Sequence, residues 1–276
     1  MGVFSILLCL STSLKGESNI KFVHFSPYMY SISNLSFKIL QSGSMKNLIN
    51  SYSNHPIFIG LPKHANIELS ISNIHFDQAM IAPLLHGRFS QVHLNSLHFS
   101  KNNFGSLIQV DNSEIIEIND TIYFQKNGFL DVFFDSIVTI TNCYFSQFIS
   151  TGMHSSIIQS YGANVTINRC SFYQSSSNTS PILFSAVSTI QISNSNFSSN
   201  LAESEGVFSM TSTNGFSDHC LYYDNIATEN GVCSISNSRF NFTHNSFFHN
   251  KAEKNSIVYF MTSNSTLEDN FFVANR

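Results

Sequence analysis

Six carboxylates lie close together in the middle of the chain, and paired acids of this kind can hydrolyse glycosidic bonds. They are Asp111, Glu114, Glu117, Asp120, Asp131 and Asp135. A hydrolase needs two or three carboxylates on one face, and a lyase needs Arg or Lys beside bound calcium. The repeat described below places Asp120 at a bend and Asp131 and Asp135 between coils, so no shared face is evident. We expect a solvated edge here and assign no catalytic residue.

Two histidines, His75 and His98, fall at equivalent outward positions of consecutive repeats. Stacked imidazoles can bind a transition metal, but this column offers no third ligand. We therefore expect ordinary exposed histidines, and the sequence predicts neither a metal site nor a cofactor.

Cys143 and Cys170, two of five cysteines, occupy the same inward position of consecutive repeats. Neighbouring coils bring such residues within the range of a disulfide, and free thiols that fill apolar space are the alternative. Cys220 lies two repeats further on, too far to join them. The cysteine spacing fits no zinc pattern.

Asn-x-Ser/Thr sequons occur at Asn34, Asn119, Asn164, Asn178, Asn196, Asn241 and Asn264. In a secreted eukaryotic protein several of these would carry glycans. A chain rich in Asn, Ser and Thr also produces sequons by chance, so their number does not by itself indicate glycosylation.

The composition is that of a folded chain with a weakly charged surface. Hydrophobic residues make up 42% of the chain and charged residues 11%, against roughly 25% charged in soluble domains. The net charge of −4 provides no basic surface for a phosphate backbone, so nucleic acid is not an expected partner. No apolar stretch approaches the roughly 18 residues of a transmembrane segment.

The N-terminus resembles a secretory leader. Residues 3–10 form a short apolar run, and small and polar residues follow, with cleavage expected around residues 13–16. The usual preceding Lys or Arg is missing, so a first buried strand or a start site within a longer gene are alternatives. We divide the chain into a candidate leader (1–16), irregular N-terminal coils or a cap (17–60), and repeats (61–276). The last repeat is incomplete, which is the pattern expected of a C-terminal truncation.

Internal repeats are the strongest signal in the sequence. Aromatic residues from Phe99 onward recur at intervals of 25, 21, 27, 25, 25, 25 and 25. This column reads Phe99, Phe124, Phe145, Phe172, Phe197, Tyr222, Phe247 and Phe272, with Phe76 upstream. A fixed period of this length is typical of a solenoid.

Each repeat contains two short alternations of apolar and polar residues, which have the period of a β-strand. Their phase shifts at a residue that tolerates a left-handed backbone, such as Asn142, Asn168, Asn194, Asp120 or Asp218. A third apolar run follows a loop. Three strands per coil predict an all-β, right-handed parallel β-helix of about nine or ten coils, each about 25 residues long.

The aromatic column is predicted to form a stacked ladder in the core. Two positions before it, the residues change from aliphatic to thiol to amide along the chain. This second column includes Leu97, Ile122, Cys143, Cys170, Ser195, Cys220, Asn245 and Asn270. We expect its asparagines to form an amide ladder along the axis.

The later repeats share the segments FSSNLAESEGVFSM, YYDNIATENGVCSI and FFHNKAEKNSIVYF. These repeats contain a Phe-x-x-Asn element four times, once with Tyr in place of Phe. The four elements are Phe197 with Asn200, Tyr222 with Asn225, Phe247 with Asn250, and Phe272 with Asn275. About residues 90–276 thus resemble the repeats of polymorphic outer membrane proteins, which are pectin-lyase-like β-helices, and similar repeats in surface proteins of parasitic protists. The Gly-Gly-Ala-Ile element of these repeats is matched only loosely, by single glycines at Gly206 and Gly231. The resemblance implies extracellular display and adhesion.

The repeats favour a non-enzymatic binding module, adhesin-like or structural, that is extracellular or displayed on the cell surface. Stacking multiplies one small lateral surface into an extended ridge suited to a glycan or a cell-surface protein. Two alternatives stay open: a carbohydrate-active enzyme of the pectin-lyase type, and a fragment of a larger surface protein. Carboxylates of adjacent coils that converge on one face would favour the enzyme.

Overall fold

The chain forms a parallel β-solenoid of about seven turns, each about 25 residues long. A computed structural model describes residues 35–44, 58–59, 67–77, 85–89, 91–100, 106–124, 128–150 and 156–276. Within these ranges there is no helix, and so none that could cross a membrane. The predicted fold class and repeat length are confirmed. The number of turns is smaller than predicted, because the prediction counted complete coils before Leu85, where the structure describes only three strands. The candidate leader and Asn34 lie outside the described residues.

A regular coil contains four strands rather than the three predicted. One coil consists of Ile158–Tyr161, Asn164–Asn168, Ser171–Tyr173 and Ser176–Ser177. The fourth strand has only two residues, so it is too short to show the alternation by which strands are recognised in a sequence.

The strands stack in parallel into three sheets. The nine-stranded sheet contains Phe58–Ile59, Leu85–Gly87, Ile108–Asp111, Leu130–Phe133, Ile158–Tyr161, Leu183–Ala186, Phe208–Thr211, Cys233–Ser236 and Val258–Met261. The 18-stranded sheet contains Leu35–Ser44, Ile67–Asp77, Gln91–Asn95, His98–Ser100, Ile115–Asn119, Ile122–Phe124, Ile137–Thr141, Tyr144–Ser146, Asn164–Asn168, Ser171–Tyr173, Thr189–Ser193, Asn196–Ser198, Asn214–Asp218, Leu221–Tyr223, Arg239–Thr243, Ser246–Phe248, Leu267–Glu268 and Phe271–Val273. The five-stranded sheet contains Ile149–Ser150, Ser176–Ser177, Leu201–Ala202, Ile226–Ala227 and Lys251–Ala252.

Bends with a left-handed backbone separate the strands of each coil. Between the two strands of the 18-stranded sheet, Asn142 and Asn194 have positive φ, as predicted. The prediction is wrong at Asn168 and Asp218, because the following residues, Arg169 and His219, take this conformation. The backbone N–H of each such residue bonds to a carbonyl of the next coil, as from Arg169 to Ser193. The stacking register therefore fixes the bend position, even where the side chain does not favour it.

A ladder of aromatic rings runs through the core. From Phe145 to Phe272, successive centroids are 4.5 to 5.2 Å apart and successive rings are tilted by at most 19°. Burial of each ring from Phe145 to Phe247 contributes about 2 to 3 kcal/mol, whereas Phe272 in the last coil is 45% exposed. Before Phe145 the rings tilt, because Phe129 packs edge-on between Tyr123 and Phe145.

The predicted place of Phe124 in this ladder is wrong. Tyr123 pairs in register with both Phe99 and Phe145, and it is fully buried. Phe124 lies in register with Ser100 and Ser146 instead. A one-residue change of register reverses the faces of a strand. Phe76 pairs in register with Phe99.

The column two positions before the aromatic ladder also differs from the prediction by one residue in this coil. Thr121 is buried in that column, whereas Ile122 is 45% exposed. Further along, the amide of Asn245 donates to Oδ1 of Asn270 over 3.1 Å, which agrees with the predicted amide ladder.

Cys143 and Cys170 lie side by side on neighbouring coils as buried free thiols, not as a disulfide. The Cys143 thiol lies 3.2 Å from the carbonyl oxygen of Thr141. A hydrogen bond with Cys170, together with burial, raises the pKa of Cys143. A thiol held in its protonated form fills apolar space and is a poor nucleophile.

Candidate functional site

Outward-facing side chains of the nine-stranded sheet form a surface that combines aromatic rings, amides and carboxylates. Because side chains alternate along a strand, two columns point away from the core. We define the Tyr161 surface as the outward residues Gln109, Asp111, Asp131, Phe133, Gln159, Tyr161 and Phe184.

Three partly exposed aromatic rings cross this surface. Phe133 stacks on Tyr161 with centroids 5.6 Å apart and an angle of 6° between the rings. The centroid of Phe184 lies 5.7 Å from that of Tyr161, with a tilt of 48°. Three consecutive coils thus supply an apolar platform along the axis of the solenoid.

Polar groups border the platform. Asp131 lies in register between Gln109 and Gln159, and the phenol of Tyr161 lies 3.4 Å from Oε1 of Gln159. Burial raises the pKa of Asp131, although hydrogen bonds from Ser106 and Gln109 oppose this shift. Oδ1 of Asp131 is buried and has no hydrogen-bond partner among the described residues. The border of the platform therefore carries carboxylate, amide and phenol groups, which are suited to bind ligand hydroxyls.

A second carboxylate comes from a different coil. Glu205 lies in the loop before Phe208–Thr211, and its Oε2 is also buried without a partner among the described residues. Burial raises the pKa of Tyr161, and the charges of Asp131 and Glu205 raise it further. The phenol therefore stays protonated and can donate a hydrogen bond.

Asp111 and Asp131 share a face, contrary to our expectation. Asp131 is in register with Gln109 and Phe133 is in register with Asp111, so the two carboxylates lie on adjacent strands, offset by two residues. A strand spacing of about 4.8 Å and a rise of about 3.3 Å per residue separate their backbones by roughly 8 Å. The expectation failed because Asp131 belongs to a strand of the nine-stranded sheet, not to a loop between coils.

The other four candidate acids lie elsewhere. Asp120 and Asp135 have positive φ at bends. Glu117 lies on the 18-stranded sheet, where it pairs with His93 over 2.9 Å. Glu114 is exposed between strands. These four do not converge with Asp131.

Six of the seven sequons lie in the described residues. Asn164 and Asn264 are exposed, whereas Asn119, Asn178, Asn196 and Asn241 are partly buried. Asn164 and Asn264 are therefore the sequons with the most accessible side chains.

Two histidine pairs follow the axis of the solenoid. His75 and His98 are in register, as the repeat implies. A second pair, His219 and His244, was not singled out from the sequence, although its two members stand one full repeat apart. The rings of His219 and His244 are stacked 4.7 Å apart beside Asp218.

Tyr161 and Glu205 were also missed. The predicted third apolar run of each repeat does not distinguish its outward residues from its inward ones. The outward aromatic residues of three such runs, Phe133, Tyr161 and Phe184, are the signal that was available.

Comparisons with known proteins find no matching family model, no matching curated protein and no matching solved structure.

Proposed function

We propose that this protein is an extracellular or surface-displayed β-solenoid that binds a neutral polysaccharide on the Tyr161 surface. The observation that carries this proposal is the aromatic platform of Phe133, Tyr161 and Phe184, with ring contacts of 5.6 and 5.7 Å. Aromatic faces pack against the apolar faces of sugar rings, and bordering amides and carboxylates bind sugar hydroxyls.

The charge of the surface selects the class of glycan. Asp111, Asp131 and Glu205 are acidic, and the described strands of the nine-stranded sheet contain no Lys or Arg. Uronic-acid polymers would place like charges together at these positions, which is unfavourable. A neutral chain that runs along the axis would contact the rings of Phe133, Tyr161 and Phe184 on three successive coils.

The extracellular location rests on the leader-like N-terminus and on the resemblance of the Phe-x-x-Asn repeats to surface proteins.

Binding is tested by affinity electrophoresis and calorimetry with neutral glucans, mannans and xylans and with polygalacturonate. We expect one or more neutral chains to bind and polygalacturonate not to bind. Tyr161→Ala should weaken binding by about tenfold or more, as is common for a central aromatic contact. Tyr144→Ala is the matched control, because Tyr144 is 38% exposed on the 18-stranded sheet. Equal affinity of the two variants, or binding of polygalacturonate alone, would overturn the proposal.

Glycoside hydrolysis is a second candidate function, favoured by the shared face of Asp111 and Asp131. Their backbones are separated by roughly 8 Å, which allows the two carboxyl groups the spacing of inverting glycosidases, and the raised pKa of Asp131 suits a general acid. The release of reducing ends from any bound glycan tests this function. Hydrolysis that Asp111→Asn and Asp131→Asn both abolish would establish an enzyme, and binding without product would leave a binding module.

A further inference from the structure

Asp218 joins two histidines of successive coils. Its Oδ2 lies 2.8 Å from Nδ1 of His219, and its Oδ1 lies 3.0 Å from Nδ1 of His244. The hydroxyl of Thr243 also donates to Oδ1 over 2.7 Å. One carboxylate thus holds both imidazoles, which are more than half exposed to solvent.

The backbone fixes the spacing of the pair. His219 and His244 both have a φ of 53° at the same bend of consecutive coils. Their rings are therefore separated by one coil, with centroids 4.7 Å apart and an angle of 22° between them. The side-chain ligand atoms of Asp218, His219 and His244 all lie within 4.8 Å of one another.

We propose that His219, His244 and Asp218 bind a divalent transition metal of the class preferred by imidazole, namely Zn²⁺, Ni²⁺ or Cu²⁺. Bonds of about 2.0 Å from one ion to two imidazole nitrogens require the two rings to rotate toward a common point, which their exposure to solvent permits. The carboxylate either joins as a third ligand or orients both rings through Nδ1–H and leaves Nε2 for the metal. Two imidazoles and a carboxylate suit Zn²⁺ and Cu²⁺ better than Ca²⁺ or Mg²⁺, which prefer ligands made of oxygen alone.

A fourth ligand is available on the next coil. Oδ2 of Asp269 lies 3.8 Å from Nε2 of His244. Asp269 occupies the same bend column one coil after His244, with a φ of 51°. The site therefore follows the solenoid axis across three coils. It lies on the 18-stranded sheet and is separate from the Tyr161 surface on the nine-stranded sheet.

The experiment compares Zn²⁺ binding by the untagged full chain and by three histidine variants, with calorimetry at pH 7.5. His219→Asn and His244→Asn keep a residue that accepts the left-handed bend, since Asn194 occupies this position with a φ of 50°. His249→Asn is the matched control: His249 is also an exposed bend histidine, but its Nδ1 lies 4.0 Å from Asp224.

We expect the wild-type chain and His249→Asn to bind one Zn²⁺ more than His219→Asn or His244→Asn. Asp218→Asn should weaken that site by roughly 10- to 100-fold. Equal stoichiometry and affinity in all proteins would overturn the proposal. Electron paramagnetic resonance of the wild-type chain with one equivalent of Cu²⁺ provides a test that needs no variant: coupling to two imidazole nitrogens is expected, and coupling to none or one contradicts the site.

Discussion

The amide of Asn225 donates a hydrogen bond from Nδ2 to Oδ1 of Asn250, one coil away, over 3.0 Å. The same Oδ1 accepts the backbone N–H of Asn225, also over 3.0 Å. Nδ2 of Asn250 donates in turn to the carbonyl oxygen of Tyr222 and to Oδ1 of Asn275. The polar groups of these buried amides are therefore satisfied by neighbouring coils. This ladder explains why Asn recurs three residues after the core aromatic residue.

Asn225→Ala should strongly destabilise the solenoid. The substitution removes the acceptor of the backbone N–H of Asn200 and one of the two acceptors of its Nδ2, and both groups are buried. We expect a loss of about 3 kcal/mol in the free energy of unfolding, measured by urea denaturation. Asn214→Ala is the control, because Asn214 is exposed, and its effect should stay within about 0.5 kcal/mol. Similar losses in both variants would contradict the role of the ladder.

Phe197→Ala should create a cavity in the aromatic ladder. Phe197 is fully buried between Phe172 and Tyr222, with centroid distances of 5.0 and 5.2 Å. We expect a destabilisation of about 3 to 5 kcal/mol in chemical denaturation. Phe216→Ala removes a ring that is 38% exposed and should cost less than about 1 kcal/mol. A smaller effect at Phe197 than at Phe216 would show that the ladder is not the core.

Gly215→Ala should be poorly tolerated. Gly215 has a φ of 153°, and an added Cβ would overlap the backbone carbonyl oxygen of Ile190 on the preceding coil. The coils would have to separate locally, so we expect a clear fall in the thermal midpoint. Gly162→Ala is the comparison: its φ is 67°, and the Cβ would meet mainly the exposed ring of Phe134, which can move. This variant should lose only about 1 to 2 kcal/mol from the left-handed backbone. A larger loss at Gly162 would contradict the close contact at Gly215.

Asp131→Asn should stabilise the fold at neutral pH and weaken glycan binding. Burial raises the pKa of Asp131 above its ordinary value of 3.8, so this carboxyl lowers the stability of the fold progressively as pH rises from 3.8 to the raised pKa, and the full cost remains above that pKa. The amide of the variant carries no charge, so it removes this loss of stability. The stability gain should be present at pH 7 and should vanish as pH falls below 3.8, where wild-type Asp131 is protonated in both states.

The measurement is the urea midpoint of both proteins from pH 3 to pH 8, together with glycan affinity at pH 7. A variant that is less stable than the wild type at pH 7 would contradict the buried charge. Unchanged affinity would show that Asp131 does not contact the glycan.

The sequence alone determined the solenoid, because a constant repeat period brings identical positions into contact whatever the details of each loop. It also placed the aromatic residues from Phe172 to Phe272 in one column, since the intervals between them are identical and leave no freedom of register. It failed at Phe124, because Phe124 follows Phe99 by the regular interval of 25 residues although the register is one residue shorter there. The pairing of Tyr123 with Phe99 and Phe145 decided the register.

Only the tertiary structure decided which outward side chains meet. Phe133 and Tyr161 pair in register, whereas Phe184 pairs with Gln159 and reaches Tyr161 diagonally, so the contact of these three rings depends on the register of the strands in the folded sheet. The unpartnered oxygens of Asp131 and Glu205, and the single carboxylate shared by His219 and His244, depend on side-chain directions that a repeat does not specify. Periodicity fixes the core because every coil must bury the same face. The outer surface is free of that constraint, and its chemistry follows from the three-dimensional arrangement.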